Sequence, residues 1–187
     1  MARPSRPSEI RSAYTAPSFP LRNRAARALW GLVCALLFRM TPRPMHAWRR
    51  FVLRAFGAKV GRGCHVYPKA VIWAPWNLTL GEYAAVADGA EVYNPSPIAI
   101  GAFAVVSQGA YLCGASHDYT SNRFPLVSSA IVIGDHAWIA ARAIVQMGVT
   151  IGTGCVIGAG SVVTRDMPEW TVCAGNPCRV IKPYRRS

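Results

Sequence analysis

His117 is the residue of this chain best suited to moving a proton at neutral pH. It lies in residues 111–127, YLCGASHDYTSNRFPLV, where one imidazole is followed by an acid, an aromatic and several hydroxyls. Imidazole titrates near pH ~6.5, so it can take a proton from an attacking alcohol and return it to a leaving group. A loop histidine can also be a plain surface residue, and residue type alone leaves both readings open. The other histidines offer less: His46 belongs to an arginine-rich helix, His65 to a first repeat, and His136 to a solvent-facing repeat position. A metal centre needs ligands that converge on one cation. Positions 65, 117 and 136 contain no His-x4-His pair, so no metal is expected.

What must position His117 is a repeat. Residues 133–163, IGDHAWIAARAIVQMGVTIGTGCVIGAGSVV, carry an aliphatic residue at 133, 139, 145, 151, 157 and 163. A small residue or Val follows four places later, at Ala137, Ala143, Val149, Cys155 and Ser161. The same step runs through 60, 66, 72 and 78, then 80, 86, 92 and 98, then 100, 106 and 112, with two extra residues at each shift. A period of six fits neither a helix nor simple alternation. It suits a three-sided solenoid whose sides are each one hexad, with the aliphatic residue inward and the small residue near a corner. Burying one aliphatic side chain contributes roughly 1.5–3 kcal/mol, so about a dozen in a stack offset the entropy of ordering the coils. One coil of eighteen residues from Ile100 would end at 118, yet the next clean coil begins at Ile133. About fifteen residues are therefore extra, and His117 opens them. A long excursion from a rigid scaffold often carries function.

The remaining composition divides the 187 residues in three. Residues 1–62 hold 13 Lys/Arg against Glu9 alone, whereas residues 63–187 are nearly neutral, with 8 Lys/Arg and 7 acids. Residues 1–21 read as a flexible basic arm. Residues 22–57 read as an amphipathic helix pair broken at TPRP, with helices over about 23–40 and 45–57. In the second helix Met45, Trp48, Val52 and Ala55/Phe56 form one face, and Arg49, Arg50 and Arg54 another. Such a pair either packs on the body with its arginines solvated or also touches an anionic membrane surface. No nucleic-acid motif accompanies the charge, so no nucleic-acid partner is expected. The six cysteines form no CxxC pair and read as reduced packing residues of a cytoplasmic protein. The apolar run 28–38 is too short to span a bilayer and starts too late for a signal peptide.

The hexads resemble those of the hexapeptide-repeat acyltransferases. Residues 168–182, PEWTVCAGNPCRVIK, resemble the C-terminal signature of the sugar O-acetyltransferase branch, which includes the maltose and galactoside enzymes. The helix pair and residues 71–81, VIWAPWNLTLG, further resemble the colanic-acid/exopolysaccharide biosynthesis acetyltransferases. The resemblance covers about residues 60–182. It implies an all-β left-handed parallel β-helix over 58–187 preceded by a short N-terminal helical segment, with an inserted loop at 114–130 and a tail at 167–187. It also implies a homotrimer with active sites between subunits.

The same resemblance implies an acetyl-CoA-dependent O-acetyltransferase acting on a sugar or glycan hydroxyl, cytoplasmic or at the inner face of the cytoplasmic membrane. His117, in text similar to the family's essential histidine, becomes the general base of a direct transfer. Both substrates then bind together, and Cys113 is left to packing rather than nucleophilic attack. Asp88 and Asn94, in VADGAEVYNPSPIAIG, match polar acceptor-binding positions, although turn formation explains them equally well. Asp118 either orients His117 or caps the loop. Trp138, Ala141 and Ala159 match the acetyl and pantetheine end of the coenzyme site. Thr164, Arg165, Arg179 and Lys182 match its nucleotide end, where cations meet phosphates. The readings weighed against this one are another acyl acceptor (an amino sugar, an antibiotic or serine), a non-catalytic solenoid scaffold, and the metal-dependent carbonic anhydrases of the same fold.

Overall fold

A computed structural model describes residues 18–185. The basic arm expected over residues 1–21 lies mostly outside these. From Lys59 onward the chain winds as a parallel β-helix of about six turns. The first turn lays down β1 (Lys59–Val60), β2 (His65–Val66) and β3 (Val71–Ile72), one strand on each of three faces. The second adds β4 (Leu78–Leu80), β5 (Ala85–Val86) and β6 (Glu91–Tyr93). The third adds β7 (Ile98–Ile100), β8 (Val105–Val106) and β9 (Tyr111–Cys113). The chain then leaves the prism as an antiparallel hairpin, β10 (Ala115–His117) and β11 (Leu126–Ser128). It resumes with β12 (Ile131–Ile133), β13 (Trp138–Ile139) and β14 (Ile144–Gln146), then β15 (Thr150–Ile151), β16 (Val156–Ile157) and β17 (Val162–Val163). The last coil contributes β18 (Thr171–Gly175), against which β19 (Cys178–Pro183) folds back antiparallel.

The six-residue period is explained by register. Val60, Leu80, Ile100, Ile133 and Ile151 stack on the first face. Val66, Val86, Val106, Ile139, Ile157 and Cys173 stack on the second. Ile72, Val92, Leu112, Val145 and Val163 stack on the third. All of these except the half-buried Val60 are buried, and together they form the core. Neighbouring strands lie about 4.8 Å apart, so each apolar side chain meets its equivalents one coil above and below. The small residue four places on closes a corner turn: Ala84, Ala104 and Ala137 each donate their N–H to the carbonyl three residues earlier, and each is fully buried.

The helical segment caps the first coil. Helix α1 (Leu21–Val33) follows Pro20 and runs into a π-helical turn, Cys34–Phe38. A single stripe of Trp30, Cys34 and Phe38 is buried, and the Trp30 indole donates to the Ile72 carbonyl at 2.7 Å. Helix α2 (His46–Ala55) corrects the expected face. Its buried residues are Arg49, Val52 and Leu53, while Met45 and Trp48 are exposed. The guanidinium of Arg49 is buried and, among the described residues, has no carboxylate within ion-pair distance. It donates instead to the carbonyls of Val66 (2.6 Å), Pro42 (2.9 Å) and Arg43, and to the Thr41 hydroxyl (2.7 Å). Arg50 and Arg54 likewise bond to backbone carbonyls of the first coil, at Cys64, Val60 and Gly61. These arginines fasten the cap to the prism because a coil end presents unpaired carbonyls that five-donor side chains can satisfy.

Candidate active site

His117 ends β10, on the hairpin that leaves the corner between the third and first faces. The departure depends on Gly114, whose N–H donates to the Tyr93 carbonyl at 2.8 Å. A β-carbon at 114 would lie 2.5 Å from that carbonyl oxygen, so only glycine passes so close. Three Cα pairs then fix the hairpin, Ala115 with Ser128, Ser116 with Val127 and His117 with Leu126. The Ser96 hydroxyl donates to Ser128 Oγ at 2.7 Å and ties the hairpin back to the coil.

At the tip the His117 ring stacks flat on Phe124, centroids 4.5 Å apart and planes 5° from parallel. Its Nδ1 lies 2.9 Å from the Phe124 carbonyl oxygen. A carbonyl only accepts, so Nδ1 donates to it, and in the neutral ring the lone pair is on Nε2. The ring is exposed. One residue, Phe124, thus sets both the plane and the tautomer of the imidazole. Sequence reasoning missed it, because its contribution is a carbonyl whose direction depends on a left-handed backbone at Phe124 (φ 44°).

The acidic and amide candidates are engaged elsewhere. Asp118 does not orient His117. Its Oδ1 accepts from the Thr120 N–H (3.0 Å) and hydroxyl (2.6 Å), which caps the tip and holds its carboxyl below the usual range. Asn94 is buried, with Oδ1 accepting from the Ala74 N–H (2.9 Å) and Nδ2 donating to the Ala74 carbonyl (2.7 Å). Both ends of its amide clamp adjacent coils, which fits the turn-forming alternative. Asp88 accepts from the Lys69 N–H at 2.9 Å and pairs with Arg43 at 3.2 Å, which joins the cap to the second coil. These three side chains do not converge on His117 within one chain. Cys113 donates weakly to the Ala115 carbonyl at 3.3 Å, consistent with packing.

The coenzyme candidates fall into two groups. Trp138 stands exposed on the second face, between Val105 and Val156, with its indole donating to Ser107 Oγ at 2.9 Å. Ser107 was not anticipated, because it meets Trp138 across a coil, 31 residues away in sequence. Ala141 and Ala159 stack on the corner between the second and third faces, where the Gly160 N–H donates to the Ala141 carbonyl at 2.9 Å. Arg179 pairs with Ala174 on the closing hairpin, and a β-carbon at Gly158 would touch Ala174 Cβ at 3.0 Å. Arg179 therefore continues the Gly158–Ala174 row, one residue before the Ala141–Ala159 corner, and Lys182 extends along the same strand opposite Val172. Thr164 and Arg165 follow β17 and lie at the opposite edge of the third face, the edge from which the His117 hairpin leaves.

The sequence model of the bacterial transferase hexapeptide family (six repeats) matches residues 130–165. WcaF of Escherichia coli (strain K12), named as a candidate colanic acid biosynthesis acetyltransferase, is 46% identical over 154 residues, 82% of this chain and 85% of WcaF. A maltose O-acetyltransferase from Clostridium difficile 630 superposes with a TM-score of 0.81 at 30% identity, covering 89% of this chain and 90% of that one. A galactoside acetyltransferase in complex with coenzyme A superposes with a TM-score of 0.80 at 26% identity, covering 94% of this chain and 89% of that one. Repeat, coil register and relatives agree: this chain belongs to the hexapeptide-repeat acetyltransferases.

Proposed function

We propose that the protein transfers the acetyl group of acetyl-CoA directly to a sugar hydroxyl in exopolysaccharide biosynthesis of the colanic-acid type, with His117 as general base. The observation that carries this reading is the Nδ1 bond of His117 to the Phe124 carbonyl, which leaves Nε2 as a proton acceptor at an exposed tip. The acceptor oxygen attacks the thioester carbonyl as its proton passes to Nε2. The tetrahedral intermediate then collapses, the carbon–sulfur bond breaks, and the departing thiolate of coenzyme A takes that proton back. No acyl-enzyme forms, so no nucleophilic Cys or Ser is needed. The Ala141–Ala159 corner suits a pantetheine arm because side chains no larger than methyl leave its backbone open. Arg179 and Lys182, both exposed, suit the phosphates.

The placement of these groups supports a site shared between subunits. Within one chain His117 and the Ala141–Ala159 corner flank opposite edges of the third face. A neighbouring copy that sets its own corner against this hairpin brings base and thioester together. We therefore propose a homotrimer.

Replacing His117 by Ala tests the base. Acetyl-CoA consumption with a sugar panel is expected to fall by about 10²–10⁴-fold. The unfolding temperature is expected to stay at the wild-type value, because the exposed ring contributes nothing to the core. Near-wild-type turnover in that variant would remove the assignment.

A further inference from the structure

We infer that the helical segment seats the protein on an anionic lipid surface, independently of the reaction assigned to His117. Helix α1 and its π-helical turn meet the prism through one narrow stripe, Trp30, Cys34 and Phe38. On the other side Leu29, Leu32, Leu36 and Met40 recur at near-helical spacing and share one flank. Leu32, Leu36 and Met40 are 58%, 61% and 78% exposed. The apolar surface continues onto α2. The Trp48 indole donates to the Leu37 carbonyl at 2.7 Å, and its ring lies 5.6 Å from that of Phe51, itself 60% exposed. Both helices thus expose large apolar side chains beside one another, and exposed apolar surface of this kind marks an interaction site.

Charge selects the occupant. Between Glu9 and Glu82 the chain has no acidic residue and twelve Lys/Arg. Arg22, Arg24 and Arg39 are exposed along the same helix and its π-helical end, and Arg43, paired with Asp88, is exposed at the turn before α2. A second copy placed on this face would set cations against cations, so self-association there is disfavoured. Anionic headgroups with acyl chains beneath them match both the cationic rim and the apolar centre. No helix of the described residues is long and apolar enough to cross a membrane, which fits a segment lying in the headgroup plane.

Flotation of the full chain with vesicles tests this. Mixed phosphatidylcholine–phosphatidylglycerol vesicles are expected to carry the protein, and pure phosphatidylcholine vesicles to bind it at least about tenfold more weakly. The double variant Leu32→Ser with Leu36→Ser is expected to lose about tenfold in binding to the mixed vesicles. Its unfolding temperature should match wild type, since both residues are exposed. Failure of the wild-type chain to float with the mixed vesicles overturns the inference, as does wild-type binding by the double variant. If the wild type does not float and the double variant changes the oligomeric state, the face is a contact between copies. Acetyl transfer is assayed separately with a water-soluble acceptor, so neither outcome depends on the other.

Discussion

Gly114 is the residue on which the position of His117 turns. Its backbone runs so close to the Tyr93 carbonyl that Gly114→Ala must move either the hairpin or the coil beneath it. The expected outcome is a loss of about 10²-fold or more in kcat, because a displacement near 1 Å at a reacting group costs that much. The core coils should keep their cooperative unfolding, which thermal denaturation followed by circular dichroism would check. The family text around SHD and the insertion made His117 visible in the sequence. The role of Phe124 was hidden, since a carbonyl carries no residue-type signature and its aim follows from the folded tip. Asn94 illustrates the reverse case. A polar side chain in a polar stretch reads as ligand-binding, yet here its amide is consumed by Ala74 of the coil before.

The helix pair is held to the prism largely by side-chain donors on backbone carbonyls. Helical spacing identified a face of α2 with Trp48 and a face with arginines, and the fold buries part of the second. The pattern could not reveal this, because the carbonyls that satisfy Arg49 come from the TPRP break and from Val66 in the first coil. His46 sits in the same cluster, stacked on His65 at 4.6 Å, with its Nδ1 against the Val66 carbonyl at 3.0 Å. Burial lowers its pKa, and Arg49, His65 and Arg50 lower it further against an opposing pull from the Val66 carbonyl. The folded state therefore favours the neutral ring, while the unfolded chain protonates near the ordinary value of about 6.5. Stability contributed here is present above that value and declines as pH falls through it. The unfolding temperature is expected to drop between about pH 7.5 and 5.5, with His46→Gln flattening that part of the profile. An equal slope in wild type and variant would assign the acid sensitivity to other groups.

The prism was legible in the sequence because its period equals one face, so every sixth residue reports the same environment. Handedness and subunit number came only with the family resemblance, since a stacking period is indifferent to both. The proposal of a site shared between copies makes a prediction for the assembly. Homomers of His117→Ala would lack the proposed base, and homomers of Ala159→Trp would have an obstructed corner. Refolded mixtures of the two are expected to recover about a quarter of wild-type activity, through sites that pair an intact hairpin with an intact corner. No recovery would mean that one chain supplies both groups.

One corner of the prism, between the third and first faces, takes every irregularity in the repeat. It absorbs two extra residues after β3, two after β6 and about fifteen after β9. The coils above nonetheless return to phase, Ile133 over Ile100 and Val145 over Leu112. Chain length added at that edge is therefore invisible to the rungs. Residues between Gly114 and Ala130 can vary in length and text while the rungs above and below keep their register.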